Sequence, residues 1–308
     1  MRYVEKKGLR IPLFSLGTVQ LGMNYGIVGK TEQPSEKEAH KILDAALENG
    51  VTMLDTANNY GDSDRVIGSW LKTLTAERPL IVTKIAPFDH SSEEVLREDI
   101  RRQAREAVRT LGLDSVDVMM VHNCSDFVKD PEIIREEIFR IKEAGIAKLT
   151  AISVYSEDDY FAIARAGFDA IQIPLNIFDQ RRIHDGSIKA LTDAGMIIFT
   201  RSVFLQGLVF MDPDQLSPKM EFLRDTLLKF RALASELSMS PAELALSFVL
   251  SVDGVSSTVL GCQTPEQIAA NAAMIDRTRQ LTDAEMARIY ETFRNVSEDI
   301  IDPRRWPN

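Results

Sequence analysis

The sequence lacks the features that several large classes of protein require. It has two cysteines, Cys124 and Cys262, in 308 residues, too few for a disulfide framework or a cysteine-based zinc site. Its formal net charge of -10 is the wrong sign for binding nucleic acid or an anionic membrane surface. No apolar run approaches the roughly 18 residues of a membrane-spanning helix. We therefore expect neither a nucleic-acid nor a membrane partner.

The first residues also lack the signals of secretion. The stretch MRYVEKKGLRIPLFSLG has no apolar core and no small-residue cleavage site of a signal peptide. The composition, 44% hydrophobic and 27% charged, is typical of a soluble globular protein. No spacing of Asp, Glu or His predicts a metal site. These observations predict a cytoplasmic protein, and nothing in the sequence indicates its oligomeric state.

Short apolar runs alternate along the chain with longer helical patterns. The runs are LFSLG, VTMLD, PLIVTK, SVDVMMVH, AKLTAIS, FDAIQIP, GMIIFT and VSSTVL. Near-continuous apolar strands separated by helices are typical of parallel βαβ units. Eight such units predict a (β/α)8 TIM barrel, with residues 1–308 forming a single domain. An open dinucleotide-binding sheet is less favoured, because no GxGxxG follows a strand.

Helices are predicted between these strands and beyond them. Asp130 and Pro131 have the residue types of an N-cap and a first helical position, in a helix that ends near Gly145. Other helical patterns lie near residues 36–49, 65–74, 93–111, 156–166, 182–194, 240–251 and 265–275. We also expect an N-terminal hairpin or plug and extra helices after strand seven and at the C-terminus, around residues 282–295.

Polar side chains close three of the predicted strands. Asp55 ends VTMLD, Lys84 ends PLIVTK, His122 ends DVMMVH, and Tyr60 follows Asp55 in the same loop. In a barrel these strand ends meet at one mouth. Singly, each residue has an ordinary explanation, such as a structural ion pair, a buried histidine or a packed tyrosine. Their joint occurrence at related positions favours a reactive site.

The four residue types form a chemically coherent set. A tyrosine with its usual pKa near 10 is a poor acid at neutral pH. An adjacent ammonium group stabilises the phenolate, and a carboxylate holds that ammonium group in place. A neutral histidine can orient a carbonyl group. The set therefore predicts general acid catalysis with Tyr60 as the proton donor.

Two motifs resemble those of the aldo-keto reductase family. DTANNYGDSDRVIG is similar to the family's DTA and YG motif, and LGTVQLG is similar to its first-strand LGT motif. The resemblance extends from about Arg10 to about Ala273. It implies hydride transfer between NAD(H) or NADP(H) and an aldehyde, ketone or sugar carbonyl. The implied catalytic residues are Asp55, Tyr60, Lys84 and His122.

The resemblance also implies a dinucleotide lying across the barrel mouth. Val154 stands where the family usually has asparagine, so one expected contact is missing. Ser202 and Gly207 are small enough to let backbone amides approach a pyrophosphate. The implied cofactor residues are Gly17, Thr18, Ser153, Gln172, Arg201, Ser202, Phe204, Leu205, Gly207, Gly261, Gln263, Gln267 and Asn271.

The segment implied to hold the adenosine end has no positive charge. Between Val259 and Asn271 there is no Lys or Arg, whereas relatives specific for NADP(H) pair a cation there with the 2′-phosphate. The missing charge-assisted contact is worth about 1.5–3 kcal/mol, and backbone amides recover part of it. We therefore predict that NADH is accepted and that NADH and NADPH bind within about tenfold of each other.

Other interpretations stay open at this point. The chain could be a regulatory protein that uses the same fold to sense the redox state of its dinucleotide. An unrelated lyase or isomerase barrel would require the tetrad to be coincidental. Arg181 and Arg182 could clamp an anionic substrate, Cys124 could border the substrate pocket, and Asn24 and Tyr25 could wall it.

Overall fold

A closed barrel of eight parallel strands forms the centre of the protein. The computed structural model describes residues 1–25, 32–155 and 158–307. The barrel strands pair in chain order from β3 to β10, and β10 pairs with β3 to close it. The predicted (β/α)8 barrel is therefore confirmed. The strands are β1 (Tyr3–Lys6), β2 (Leu9–Pro12), β3 (Phe14–Gly17), β4 (Met53–Asp55), β5 (Leu80–Ile85), β6 (Val116–Val121), β7 (Ala147–Ser153), β8 (Ala170–Pro174), β9 (Ile197–Arg201) and β10 (Val255–Gly261).

The N-terminal hairpin closes one end of the barrel. Strands β1 and β2 pair antiparallel, as the sequence predicts for this segment. Leu9 and Ile11 of β2 are buried in one apolar cluster with interior residues such as Met53 and Val118. The other end of the barrel, where the strands finish, is left to the βα loops.

Helices surround the barrel and shield the outer faces of its strands. They are α1 (Val19–Gly22), α2 (Glu36–Glu48), α3 (Ser63–Leu71), α4 (Glu93–Leu111), α5 (Cys124–Phe127), α6 (Pro131–Glu143), α7 (Tyr160–Ala166), α8 (Arg181–His184), α9 (Ser187–Asp193), α10 (Arg224–Glu236), α11 (Pro241–Ser251), α12 (Pro265–Arg277), α13 (Asp283–Phe293) and α14 (Glu298–Ile301). The extra helices predicted after the seventh barrel strand and at the C-terminus are present as α10, α13 and α14. Within the described ranges, no helix is both long and apolar enough to cross a membrane.

Two predicted helices differ from the structure in their extent, and the predicted N-cap of a third lacks its side-chain bond. Asp130 occupies the N-cap position of α6, but its carboxylate bonds to His90 Nδ1 at 2.5 Å and does not cap the helix. The helix predicted over 182–194 is divided into α8 and α9, because Gly186 adopts a left-handed φ of 82° that ends the first segment. Of the helix predicted over 156–166, residues 156–157 lie outside the described residues, and α7 begins at Tyr160.

Candidate active site

A cleft of about 1140 Å3 opens at the mouth where the barrel strands end. Gly17, Asp55, Gln172, Arg201 and Gly261 line it, each at or near the carboxyl end of a different strand. Parallel strands bring these ends together although they are separated by up to hundreds of residues in sequence. The cleft is therefore the place where side chains from several βα units can act on one molecule.

A buried ion pair lies directly behind the wall of this cleft, because Asp55 lines the cleft and Lys84 does not. Lys84 is fully buried, and its Nζ donates to Asp55 Oδ1 at 2.5 Å and to the Thr56 carbonyl at 3.0 Å. Burial alone lowers the pKa of Lys84, but Asp55 and Tyr60 raise it by more, so its net pKa is raised. A buried charge is costly unless it is paired, and this pairing keeps the lysine cationic.

Tyr60 contacts both the lysine and the histidine of the predicted tetrad. Lys84 Nζ lies 3.4 Å from its hydroxyl, and its ring meets the His122 ring edge-on with centroids 5.6 Å apart. Burial raises the pKa of Tyr60, and this effect exceeds the opposite influence of Lys84. The expected stabilisation of the phenolate by Lys84 is thus present but outweighed. At neutral pH Tyr60 carries its proton.

His122 is neutral in this environment. Burial, followed by the charges of Lys84 and Arg201, lowers its pKa to about 3. Its Nδ1 is buried without a hydrogen-bond partner in the described part of the chain. The imidazole can therefore orient a polar ligand through hydrogen bonding, and it does not carry a charge near neutral pH.

Gln172 completes the coordination of the buried carboxylate. Its Nε2 donates to Asp55 Oδ2 at 2.7 Å, while Lys84 bonds the other carboxylate oxygen. This contact alone would be enough to satisfy a polar side chain buried in a strand. The amide oxygen of Gln172 has no hydrogen bond to any described residue, and the residue also lines the cleft. Gln172 can therefore hold Asp55 and accept a bond from a ligand.

Most of the residues implied to hold a cofactor line this cleft. Ser153 is the exception: it is buried at the end of β7, beside Gln172 in register. The residues that line the cleft are Gly17, Thr18, Gln172, Arg201, Ser202, Phe204, Leu205, Gly207, Gly261, Gln263, Gln267 and Asn271.

Thr18 has little polar capacity left for a ligand. Its hydroxyl donates to the Asp55 carbonyl at 3.0 Å and accepts from Ser63 Oγ at 2.8 Å. Its backbone N–H donates to the same Asp55 carbonyl, and its own carbonyl accepts from Leu21 N. Thr18 is therefore expected to contact a ligand through van der Waals packing and not through hydrogen bonds.

The loop after β9 has an unusual backbone. Ser202, Leu205, Gln206 and Gly207 have φ values of 63°, 42°, 54° and 92°. Left-handed conformations are uncommon for residues other than glycine, so four within six positions curl the chain tightly. The Phe204 ring packs against Phe210, with centroids 5.0 Å apart. Turns of this kind can direct successive backbone amides towards an anion.

The segment after β10 is more open and has a carboxylate that sequence reasoning overlooked. Gln267 Oε1 accepts from the Gln263 backbone at 2.7 Å, and Asn271 Nδ2 lies 3.2 Å from Cys262 Sγ. Glu266 is exposed in the first turn of α12, where hydrogen bonds from its own backbone and from Thr264 lower its pKa. The segment from Val259 to Asn271 therefore carries one negative charge and no positive one.

Two further cleft residues, Tyr155 and Arg304, were not predicted from the sequence, and both contact or neighbour the predicted Arg201. Arg201 Nη2 donates to the Val154 carbonyl at 3.0 Å, and its Cζ lies 4.6 Å from the centroid of the Tyr155 ring. Arg304 Cζ lies 5.0 Å from the same ring. Arg304 lines the cleft, as do its neighbours Ile301, Asp302, Pro303 and Arg305. These contacts join segments far apart in sequence, so no local pattern could predict them.

Other residues considered from the sequence have different roles. Arg181 bonds Asp179 at 2.8 Å, and Arg182 bonds Asp185 at 2.7 Å, so both charges are met by carboxylates within the protein. The anion clamp is therefore not supported. Tyr25 does line the cleft, whereas the Asn24 side chain accepts from the backbone of Gln33.

Cys124 is buried and does not line the cleft. Burial, with nearby Asp158, raises its pKa to about 12, so it remains an unreactive thiol near neutral pH. The suggestion that it borders the substrate pocket is wrong for this structure.

Comparison with known proteins agrees with the geometry. The model of the "Aldo/keto reductase family" matches residues 14–293. An NADH-specific methylglyoxal reductase of Escherichia coli is 24% identical, covering 82% of this chain and 84% of that protein. A Schizosaccharomyces pombe protein, named provisionally as a voltage-gated potassium channel beta subunit, is also 24% identical, covering 94% of this chain and 92% of that protein. An aldo-keto reductase of Bacillus halodurans, solved in its holo form, superimposes with a TM-score of 0.74 at 20% identity, over 99% of this chain and 98% of that one.

Proposed function

The chain belongs to the aldo-keto reductase family, and on that premise we propose that it is an enzyme that interconverts a carbonyl group and an alcohol with Tyr60 as the acid and base. The observation that carries the proposal is the contact between the Tyr60 hydroxyl and the buried Lys84 of the Lys84–Asp55 ion pair. The substrate class is an aldehyde, a ketone or a sugar. In the reverse direction it is the corresponding alcohol or sugar hemiacetal.

Residues of the chain itself would donate the proton and stabilise the group that donates it. In reduction, the Tyr60 hydroxyl donates its proton to the carbonyl oxygen as that oxygen gains charge. The neutral His122 donates a hydrogen bond to the same oxygen and orients it. The fixed positive charge of Lys84, close to the phenol, then stabilises the phenolate that remains. Asp55 holds Lys84 in position throughout, and Gln172 holds Asp55.

The cleft fits a nicotinamide dinucleotide, which supplies the hydride when bound. Gln172 is suited to the carboxamide, because its amide oxygen is open to a donor, whereas Ser153 is buried beside it and does not line the cleft. The curled loop from Ser202 to Gly207 offers backbone amides to the pyrophosphate. Gly17, Arg201, Phe204 and Leu205 would enclose the middle of the dinucleotide, and Gly261, Gln263, Gln267 and Asn271 its adenosine end.

We propose that NADH is used and that NADPH is not strongly preferred. The run from Val259 to Asn271 offers no cation to a 2′-phosphate, and Glu266 within it adds a negative charge in the first turn of α12. A ribose 2′-hydroxyl needs only a neutral partner, which Gln263 can provide. A relative of similar length that is named for NADH specificity is consistent with this choice.

A turnover screen tests the proposed function. Purified protein would be assayed by loss of nicotinamide absorbance with NADH and with NADPH, against aldehydes, ketones and aldoses, and in reverse against sugars and alcohols. We expect turnover of at least one carbonyl class, abolished in Tyr60→Phe. Tight dinucleotide binding with no turnover of any class would instead favour the regulatory interpretation, a redox-sensing protein on the same fold.

A further inference from the structure

We propose that a buried hydrogen-bond cluster of Thr18, Thr56, Ser63 and Asp64, the loop clamp, positions Tyr60 by fixing both ends of the loop that carries it. The importance of this role for turnover rests on the proposed function of Tyr60. The physical claim, that the clamp sets the distance between the phenol and Lys84, does not.

The loop has little packing of its own. Between Thr56 and Ser63, the residues Asn58, Asn59, Gly61 and Asp62 are exposed. No large apolar side chain from these four residues anchors the loop to the core. The Tyr60 hydroxyl nevertheless lies 3.4 Å from the buried Lys84 Nζ. Hydrogen bonds therefore constrain the loop. Asn58 N donates to the Lys84 carbonyl at 3.0 Å and Asn58 Nδ2 donates to Gln103 Oε1 at 2.7 Å, and further bonds lie where the loop enters and leaves the barrel wall.

The clamp joins those two places directly. Thr56 Oγ1 donates to Asp64 Oδ1 at 2.6 Å and lies 3.0 Å from Ser63 Oγ. All three residues are buried. Thr56 is the first residue after β4, and Ser63 and Asp64 begin α3. These short bonds therefore close the loop at its base, as a cross-link would, and they reduce the volume that Tyr60 can explore.

The clamp is also tied to the ion pair and to the first βα loop. The backbone carbonyl of Thr56 accepts from Lys84 Nζ at 3.0 Å, so one residue holds the lysine with its backbone and the loop with its side chain. Ser63 Oγ donates towards Thr18 Oγ1, which itself donates to the Asp55 carbonyl. The loop base, the lysine and the aspartate thus share one buried network.

The tip of the loop is limited by backbone contact. A Cβ built on Gly22 would lie 1.8 Å from the Tyr60 carbonyl oxygen, far inside any permitted contact. The Gly22 carbonyl in turn accepts from Asp62 N at 3.0 Å. Only glycine lets α1 lie this close, so the loop is held at its base by the clamp and beside Tyr60 by α1.

Two substitutions at Thr56 separate the loss of the clamp hydrogen bond from a change in side-chain volume. Thr56→Val removes the hydroxyl and keeps the branched shape, whereas Thr56→Ser keeps the hydroxyl. The matched control is Thr150→Val, because Thr150 is also buried and donates to a carboxylate, Asp169 Oδ2 at 3.2 Å, on a different part of the barrel. Thermal unfolding of all three variants measures the purely structural cost.

Two measurements test the proposal. In Thr56→Val we expect kcat to fall on the order of tenfold to a hundredfold, the scale of a small misplacement, with the NADH Kd unchanged. Thr56→Ser should recover most of the loss, and Thr150→Val should lose stability without loss of kcat. Tyrosinate absorbance, taken as the difference from the same protein carrying Tyr60→Phe, should show Tyr60 ionising at higher pH in Thr56→Val, because its phenolate is farther from Lys84.

The titration of Tyr60 does not require turnover. The proposed clamp and the proposed function of Tyr60 can therefore fail separately. An unchanged Tyr60 titration and an unchanged kcat in Thr56→Val would overturn the clamp. So would a loss of activity no greater than that of Thr150→Val at equal stability. A wild-type protein that turns over no carbonyl, but whose Tyr60 titration still shifts in Thr56→Val, would refute the proposed function and support the clamp.

Discussion

The two ends of the cleft differ in how closely the chain constrains them. In the proposed proton-transfer corner, Asp55 and Tyr60 line the cleft and directly contact Lys84 and His122, and most of these groups are buried. The proposed adenosine groove, from Gly261 to Asn271, is partly exposed, and Gln267 is open to solvent. Buried charges need specific partners, whereas exposed polar groups can exchange them for water. Substitutions should therefore have large effects in the corner and small ones in the groove.

The largest effect is expected at Tyr60. Tyr60→Phe removes the proton donor and keeps the ring that contacts His122, so turnover should fall by about a hundredfold to ten-thousandfold while NADH affinity stays the same. Stopped-flow assays and fluorescence titration measure the two quantities. Tyr160→Phe is the control, because that buried hydroxyl has no hydrogen-bond partner among the described residues. Equal turnover in Tyr60→Phe and wild type would show that Tyr60 is not the proton donor.

The next effect is expected at the ion pair. Lys84→Met leaves Asp55 buried without its cation, which should lower the free energy of unfolding by about 3–5 kcal/mol. Adding Asp55→Asn removes the uncompensated charge and should restore much of that stability, yet turnover should stay low because the phenolate has lost Lys84. Urea unfolding and kcat measure the two consequences. If Lys84→Met alone were as stable and as active as wild type, the ion pair would contribute neither to stability nor to turnover.

The smallest effect is expected in the adenosine groove. Gln263→Arg places a cation near the proposed ribose site and should shift the ratio of NADPH to NADH affinity by about tenfold, or 1.4 kcal/mol, towards NADPH. The shift should shrink in high salt, because the site is partly exposed. Gln263→Met, which is similar in length and uncharged, should produce no shift. A wild-type preference for NADPH beyond about a hundredfold would instead indicate that Arg304 or Arg305, which line the same cleft, reaches the phosphate.

The same contrast explains what the sequence could predict. The barrel strands are visible because each is a buried apolar run, and the helix over 93–111 has the predicted bounds, with Ser92 capping its start and Gly112 ending it. Asp55, Lys84 and His122 are visible because a polar residue that ends an apolar strand is costly without a reason to be there. Each of these signals is local in the sequence.

Features that depend on distant contacts could not be read in this way. Asp130 has the residue type of a helix cap, but His90, forty residues earlier, takes its carboxylate. Arg304 and Arg201 meet at Tyr155 although they come from the C-terminus and from β9. Thr56 and Ser63 lie within the recognised motif, yet their bond to each other, and that of Ser63 to Thr18, appear only once the first two βα loops are placed side by side.

Tyr60 is protonated at neutral pH, since burial raises its pKa further above the usual 10.0, and we propose that its proton is the one transferred. The pH dependence of kcat/KM in both directions tests it most directly. Reduction needs the phenol, and burial raises the Tyr60 pKa above its usual 10.0, so reduction should be constant from about pH 6 to about pH 9 and fall only above about pH 10. Oxidation needs the phenolate and should rise with the same ionisation. His122, with a pKa of about 3, should contribute no ionisation in this range. A controlling ionisation near pH 6–7 that disappears in His122→Gln would contradict the account.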